Sequence, residues 1–216
     1  MATNSPPATG HARDLAAMVD RGIYWLARHW LALVNLFWGL YLLLPLLAPV
    51  MMNAGWTVPA KAIYFVYRPL CHQLPERSYF LGGDQVAYSA EELADAGVQV
   101  GPPSRDIGNE QVGWKLAFCQ RDVAIYGSLF LTGLVYAGFR HRWRRWKMRV
   151  RTYLLFLVPM AVDGTLQLFG VYESTWVLRT VTGVIFGVGS GLFVYPYLEE
   201  AFGDVRRDLN ARLHLE

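Results

Sequence analysis

The sequence predicts an all-α integral membrane protein, a four-helix bundle whose extracytoplasmic loop contains short helices. Three observations predict it. Hydrophobic residues make up 54% of the 216-residue chain, above the roughly 45–50% of soluble domains. They gather into long blocks that approach the roughly 20 residues needed to cross a bilayer. Arginines cluster beside those blocks in the pattern that orients membrane helices.

The first twelve residues, 1–12, are polar and Pro-containing and read as a disordered N-terminus. The first apolar block starts too late for the short core of a secretory signal, so an uncleaved signal anchor is expected. Residues 13–29 read as a cytoplasmic amphipathic helix, or as a simple extension of the span that follows. The first span covers about 30–52, carries no charge, and has Asn35 as its strongly polar residue. The second covers about 122–139. The third, about 153–172, contains Asp163 and Gln167, and the fourth, about 176–197, carries Arg179 near its start. Helices are the default for such blocks, because backbone amides in hydrocarbon must be satisfied internally. Trp30, Trp56, Trp114, Trp143, Trp146 and Trp176 fall at or near these boundaries, where amphipathic rings favour the headgroup zone.

Charge sets the orientation. Arg140, Arg142, Arg144, Arg145, Lys147, Arg149 and Arg151 crowd the link between the second and third spans with no acid among them. Short loops this basic stay in the cytoplasm. Arginines also precede the first span and follow the fourth, so both termini, including the tail 199–216, are expected in the cytoplasm. The domain is thus placed in the cytoplasmic membrane with the lipid bilayer as its surroundings. No nucleic-acid partner is expected, because the basic run lies between spans and the net charge is only +3.

The stretch 53–121 then becomes an extracytoplasmic loop. Pro59 to Leu70, interrupted by Lys61 and Arg68, reads as an interfacial or re-entrant helix,. Ser89 and Glu92 form a capping box ahead of a short helix near Ala90 to Ala96, which Gly101-Pro102-Pro103 ends,. The acids between Asp84 and Glu110 read as a solvated surface.

This topology carries the unusual residues to one face of the membrane. Cys119, Asp122 and Tyr126 share a helix face at the start of the second span,. Pro159, Asp163 and Gln167 share another in the outer half of the third. Ser174 and Arg179 open the fourth, and the loop supplies Cys71, His72, Gln73, Arg77 and Ser78. Ionisable residues within spans are costly and point to function unless they are paired structurally. Gly183, Gly187 and Gly191 recur every four residues and let another helix approach closely,. Packing within the bundle is the first reading of that face, and a homo-oligomer the second.

The segments Cys71-His72-Gln73-Leu74-Pro75-Glu76-Arg77-Ser78, Cys119-Gln120-Arg121-Asp122, Ile125-Tyr126-Gly127, Asp163-Gly164-Thr165-Leu166-Gln167 and Glu173-Ser174, with Leu178-Arg179 and Thr182-Gly183, appear in one order. In that order they resemble a family of small microbial integral membrane proteins known as domain of unknown function 2085, over about residues 63–196. The resemblance implies a membrane location and no established activity. Relatives usually carry a second cysteine where this chain has Asp122, and a shorter polar segment between Ser78 and Cys119.

Three readings of the polar cluster compete. Cys71, His72, Cys119 and Asp122 offer sulfur, imidazole and carboxylate ligands suited to zinc, although adjacent Cys71 and His72 would need an unusual backbone to bind together. Cys71 and Cys119 could instead pair as a disulfide on an oxidising face. Arg77, Arg121 and Arg179, with Ser78, Ser174 and Tyr126, suit the phosphate oxygens of a small or lipid-linked ligand. Internal ion pairing of those arginines, for instance Arg179 with Asp163 or Arg121 with Asp122, is the competing account. The leading functional expectation is a membrane-embedded binding protein or enzyme, with Asp163 as central acid and Gln167 orienting the ligand. A small transporter and a structural or assembly protein are the alternatives.

Overall fold

Apolar runs this long can satisfy their own amides only as helices, and the helices organise the chain. The computed structural model describes residues 10–102, 104–143 and 146–213. Most of the stretch expected to be disordered, 1–9, lies outside the described residues, as do Arg144 and Arg145 of the basic link and residues 214–216 of the tail.

Helix α1 runs without interruption over Gly10–Asn53. The expected amphipathic helix is therefore the first part of the same rod as the first apolar block. Asn53 ends it, donating from Nδ2 to the Pro49 carbonyl at 3.0 Å and to the Leu81 carbonyl at 3.3 Å. After a tight turn at Gly55 (φ +79°) comes α2, Thr57–Tyr67, where the interrupted apolar stretch had suggested a short helix.

The loop is not purely helical, and here the all-α expectation is corrected. A 3-10 turn at Pro75–Arg77 leads into β1, Ser78–Gly82. Helix α3, Ala90–Asp95, follows, with the capping box as expected: Ser89 Oγ accepts from the Glu92 amide at 3.2 Å, and Glu92 Oε2 accepts from the Ser89 amide at 2.7 Å. Strands β2, Gly108–Asn109, and β3, Gly113–Cys119, complete a three-stranded antiparallel sheet in the order β1-β3-β2. Phe80, Leu93, Val98 and Val112 make a small core between the sheet and α3. The strands escaped the sequence reading because Trp114, Phe118, Tyr79 and Phe80 are good strand formers only in the presence of paired neighbours 30 or more residues away.

Strand β3 runs directly into α4, Gln120–Trp143, which loses helical geometry at Phe139 (φ −108°, ψ 16°). Helices α5, Val150–Leu168, and α6, Trp176–Leu213, complete the chain. Among the described residues, three helices are long and apolar enough to cross a membrane: α1, α4 and α6. The 19-residue α5 is shorter than the expected third span and is diluted by Arg151, Asp163 and Gln167.

Helices α1, α4 and α6 pack together, and α5 lies along α6. At the hairpin end of the bundle, near the α4–α5 connection, Glu199 is buried. It accepts from Arg140 Nε at 2.9 Å, Arg206 Nη2 at 3.0 Å and Trp30 Nε1 at 3.1 Å, tying the three helices together. Trp30, Leu31, Tyr136 and Tyr195 fill the core beside it. Halfway along, the glycine face of α6 meets α4 of the same chain. A Cβ on Gly187 would collide with Ser128 Oγ and stand 2.5 Å from the Ile125 carbonyl oxygen, and one on Gly191 would stand 2.7 Å from Thr132 Cγ2. The opposite side of α6 takes α5, with Tyr153 stacked on Phe193 at 4.5 Å between ring centroids. At the sheet end, Ala48, Tyr64, Tyr67, Ala117 and Phe118 form a second core that seats the sheet on the helices.

Candidate functional site

The site lies where the sheet meets the helices. A cavity of about 250 Å³ is lined by Cys71, His72, Arg77, Cys119, Arg121, Asp122, Gln167 and Arg179, with Leu70, Gln73 and Leu74. Nine of its lining residues are ones the sequence singled out, Gln73 among them, and they come from the turn after α2, the β3–α4 junction, α5 and α6.

Local structure places each of them. The Cys71–Leu74 turn is held by the residue at its middle: Gln73 adopts a left-handed φ of +53°, uncommon for a residue with a side chain,. Its side-chain amide donates to the Tyr64 carbonyl at 3.0 Å, and its own carbonyl accepts from the Lys115 ammonium. Lys115 is fully buried, and burial pulls its pKa down to about 8. The sequence placed Gln73 in the polar cluster without its part in the turn, and it did not reveal Lys115, whose signal was a lysine inside the apolar run Gly113-Trp114-Lys115-Leu116-Ala117-Phe118.

At the β3–α4 junction Cys119 caps the helix: its sulfur accepts from the Asp122 amide at 3.4 Å, and its own amide donates to Cys71 Sγ at 3.3 Å. Both cysteines are free. Hydrogen bonding to Cys71 and burial raise the Cys119 pKa well above the ordinary thiol range. One ligand atom each from Cys71, Cys119 and Asp122 lies within 4.8 Å of the others. His72 is exposed and stands outside this trio, though it lines the same cavity.

The arginines divide into two kinds. Arg121 forms a salt bridge with Asp163, whose side chain is only 3% exposed and also accepts from the Tyr172 hydroxyl. Arg121 Nη2 reaches Gln167 Oε1 at 3.4 Å as well. Internal pairing therefore accounts for Arg121, but the partners differ from those expected: Asp163 takes Arg121 rather than Arg179, and Arg121 does not take the neighbouring Asp122. Arg179 is different. It is 7% exposed, and its Nη1 donates only to uncharged acceptors, Gln120 Oε1 at 3.1 Å and the Glu76 carbonyl at 3.3 Å. Among the described residues no carboxylate forms a salt bridge with it. Gln120, whose part the sequence did not reveal, fixes this arrangement by donating its amide to the Ser78 carbonyl at 3.0 Å.

Three buried donor atoms on residues that line the cavity lack hydrogen-bond partners among the described residues: Arg121 Nε, Arg179 Nε and Gln167 Nε2. The remaining expected residues stand apart. Ser78 is buried and donates to the Leu74 carbonyl at 2.9 Å. Tyr126 packs among Trp38, Tyr41 and Phe118. Asp163 sits behind Arg121. Ser174 lines a second cleft of about 600 Å³ between α3 and the start of α6, which shares Arg77 and Arg179 with the cavity.

These features define a small helical membrane protein with a polar site at one end of its bundle. More particularly, the chain belongs to the family of predicted membrane proteins designated domain of unknown function 2085, whose model matches residues 111–193. It is 31% identical over 146 residues to an uncharacterised protein of Methanocaldococcus jannaschii, covering 67% of this chain and 74% of that protein. The family match includes β3, the β3–α4 junction, α5 and the first half of α6. It therefore takes in Cys119, Arg121, Asp122, Gln167 and Arg179 of the cavity lining. No solved structure matches the chain.

Proposed function

We propose that this protein binds an oxyanion, a phosphate group above all, in the cavity at the sheet end of the bundle. In this reading the chain spans a microbial cytoplasmic membrane four times, with both termini in the cytoplasm and the sheet end outside. The observation that carries the proposal is Arg179: a guanidinium buried beside the cavity that, among the described residues, forms no salt bridge with a carboxylate. A buried charge without a counter-ion is strongly unfavourable. Arg77, Arg121 and Arg179 line the cavity against Asp122 alone, and all three of the orphaned atoms are donors. Guanidinium donors suit phosphate oxygens in geometry as well as charge. Binding is favoured over acid–base catalysis because Asp163 is committed to Arg121 and does not front the cavity.

The phosphate could belong to a soluble ligand or to a lipid headgroup. The test is calorimetric titration of the protein, purified in a neutral detergent, with inorganic phosphate and separately with a short-chain phosphatidic acid. Saturable binding of the first marks a soluble ligand, and binding of the second alone marks a lipid. Losing one charge-assisted contact of about 1.5–3 kcal/mol should weaken binding roughly tenfold to a hundredfold in Arg179→Gln. Substituting the exposed Arg105 of the loop should leave it unchanged. Equal affinity in Arg179→Gln and wild type, or no binding of either probe, would overturn the reading.

A further inference from the structure

We infer that Cys71, Cys119 and Asp122 form a site for one zinc-class divalent cation, with its fourth coordination position open to the cavity. This goes beyond the oxyanion reading and does not depend on it. Three donor atoms of suitable chemistry, two sulfurs and a carboxylate oxygen, lie within 4.8 Å of one another. Zinc–ligand bonds of about 2.0–2.3 Å put the edges of a tetrahedron at roughly 3.3–3.8 Å. A contraction of about an ångström would therefore close the trio around an ion.

The trio is assembled from three separate elements rather than one flexible loop. Cys71 follows α2 on the turn that Gln73 and Lys115 pin down. Cys119 ends β3, directly opposite Ser78 in the sheet register. Asp122 sits in the first turn of α4. Each sulfur already accepts a backbone amide, Cys71 from Cys119 at 3.3 Å and Cys119 from Asp122 at 3.4 Å. Two sulfurs with one carboxylate select zinc over magnesium or calcium, which prefer all-oxygen sites. All three residues line the cavity, so three protein ligands with one vacant position resembles the layout of catalytic rather than structural zinc.

The test uses cobalt as the probe. The full chain is purified in detergent, stripped of metal, fully reduced and titrated with Co²⁺ in phosphate-free buffer. The expected result is one equivalent bound, with near-ultraviolet sulfur-to-cobalt charge-transfer bands that Zn²⁺ displaces. Cys119→Ser should abolish most of that absorption. Asp122→Asn should weaken cobalt binding tenfold or more while keeping the charge-transfer bands. This residue is only partly buried, so its variant keeps the test decisive if the cysteine variant fails to fold. Arg179→Gln should still take up one equivalent of cobalt with the same charge-transfer bands, at an affinity equal to or above wild type because a neighbouring positive charge is gone, which separates this result from the phosphate titration. A reduced wild-type protein with two titratable thiols and no stoichiometric cobalt would overturn the inference. So would a wild-type affinity in Asp122→Asn.

Discussion

Arg121 and Asp163 show how a functional-looking pair can divide its roles. Each alone is an ionisable group in or beside an apolar helix, and together they form a salt bridge whose side chains are 21% and 3% exposed. Removing one partner of a buried pair strands the other and costs about 3–5 kcal/mol, whereas replacing both by apolar groups is often close to neutral. Asp163→Leu and Arg121→Met should therefore each lower the thermal stability of the detergent-purified protein, and the double variant should recover most of the loss. Phosphate binding should remain weaker than wild type in the double variant even where stability recovers, because the cavity then lacks the Arg121 guanidinium. Additive destabilisation in the double variant would show that the pair does not act as a unit. Asp163 in this view is a positioning residue, and the sequence could mark it as costly without saying which arginine it meets.

At the scale of elements, the contact between α4 and α6 is set by glycine. Small residues at intervals of four allow close helix approach in a membrane, where apolar burial supplies little drive between helices. Gly187 has no room for a side chain, so Gly187→Val forces the helices apart. Overpacking of this kind costs about 1–3 kcal/mol and should lower the midpoint of thermal unfolding in detergent. Gly138, on α4, has nothing within 4 Å of the place a Cβ would occupy. Gly138→Ala should instead be neutral or stabilising by up to about 1 kcal/mol through helix propensity. Equal responses at the two positions would refute close packing as the role of the Gly187 face. The sheet belongs to this scale too, because β3 delivers Cys119 to the first turn of α4 and its partner β1 delivers Ser78 to Gln120.

At the scale of the molecule, the fold has two ends of different chemistry. The hairpin end carries the basic run and the Glu199 network, and the sheet end carries the cavity. The positive-inside pattern places the hairpin in the cytoplasm in the proposed arrangement. A reporter enzyme that works only in the cytoplasm should then be active when fused after Glu216 and inactive when inserted at Gly101, in the loop between α3 and β2. An inactive fusion after Glu216 would point to an odd number of crossings. In that case α5, the shortest of the four long helices, would be the one that does not cross.

Long uncharged stretches, tryptophan-marked boundaries, the capping box at Ser89 and the arginine-rich link are local signals, so the sequence alone determined the helical membrane character and nominated the residues that line the cavity. Contacts across tens of residues are not local signals. Only the tertiary structure decided that β1 and β3 pair, that Lys115 is buried against the Gln73 turn, that Arg121 takes Asp163, and that Arg179 forms no salt bridge among the described residues. The reason is physical: helix formation and membrane partition depend on a residue and its near neighbours, whereas strand pairing and the neutralisation of a buried charge depend on which distant group the fold brings within about 4 Å.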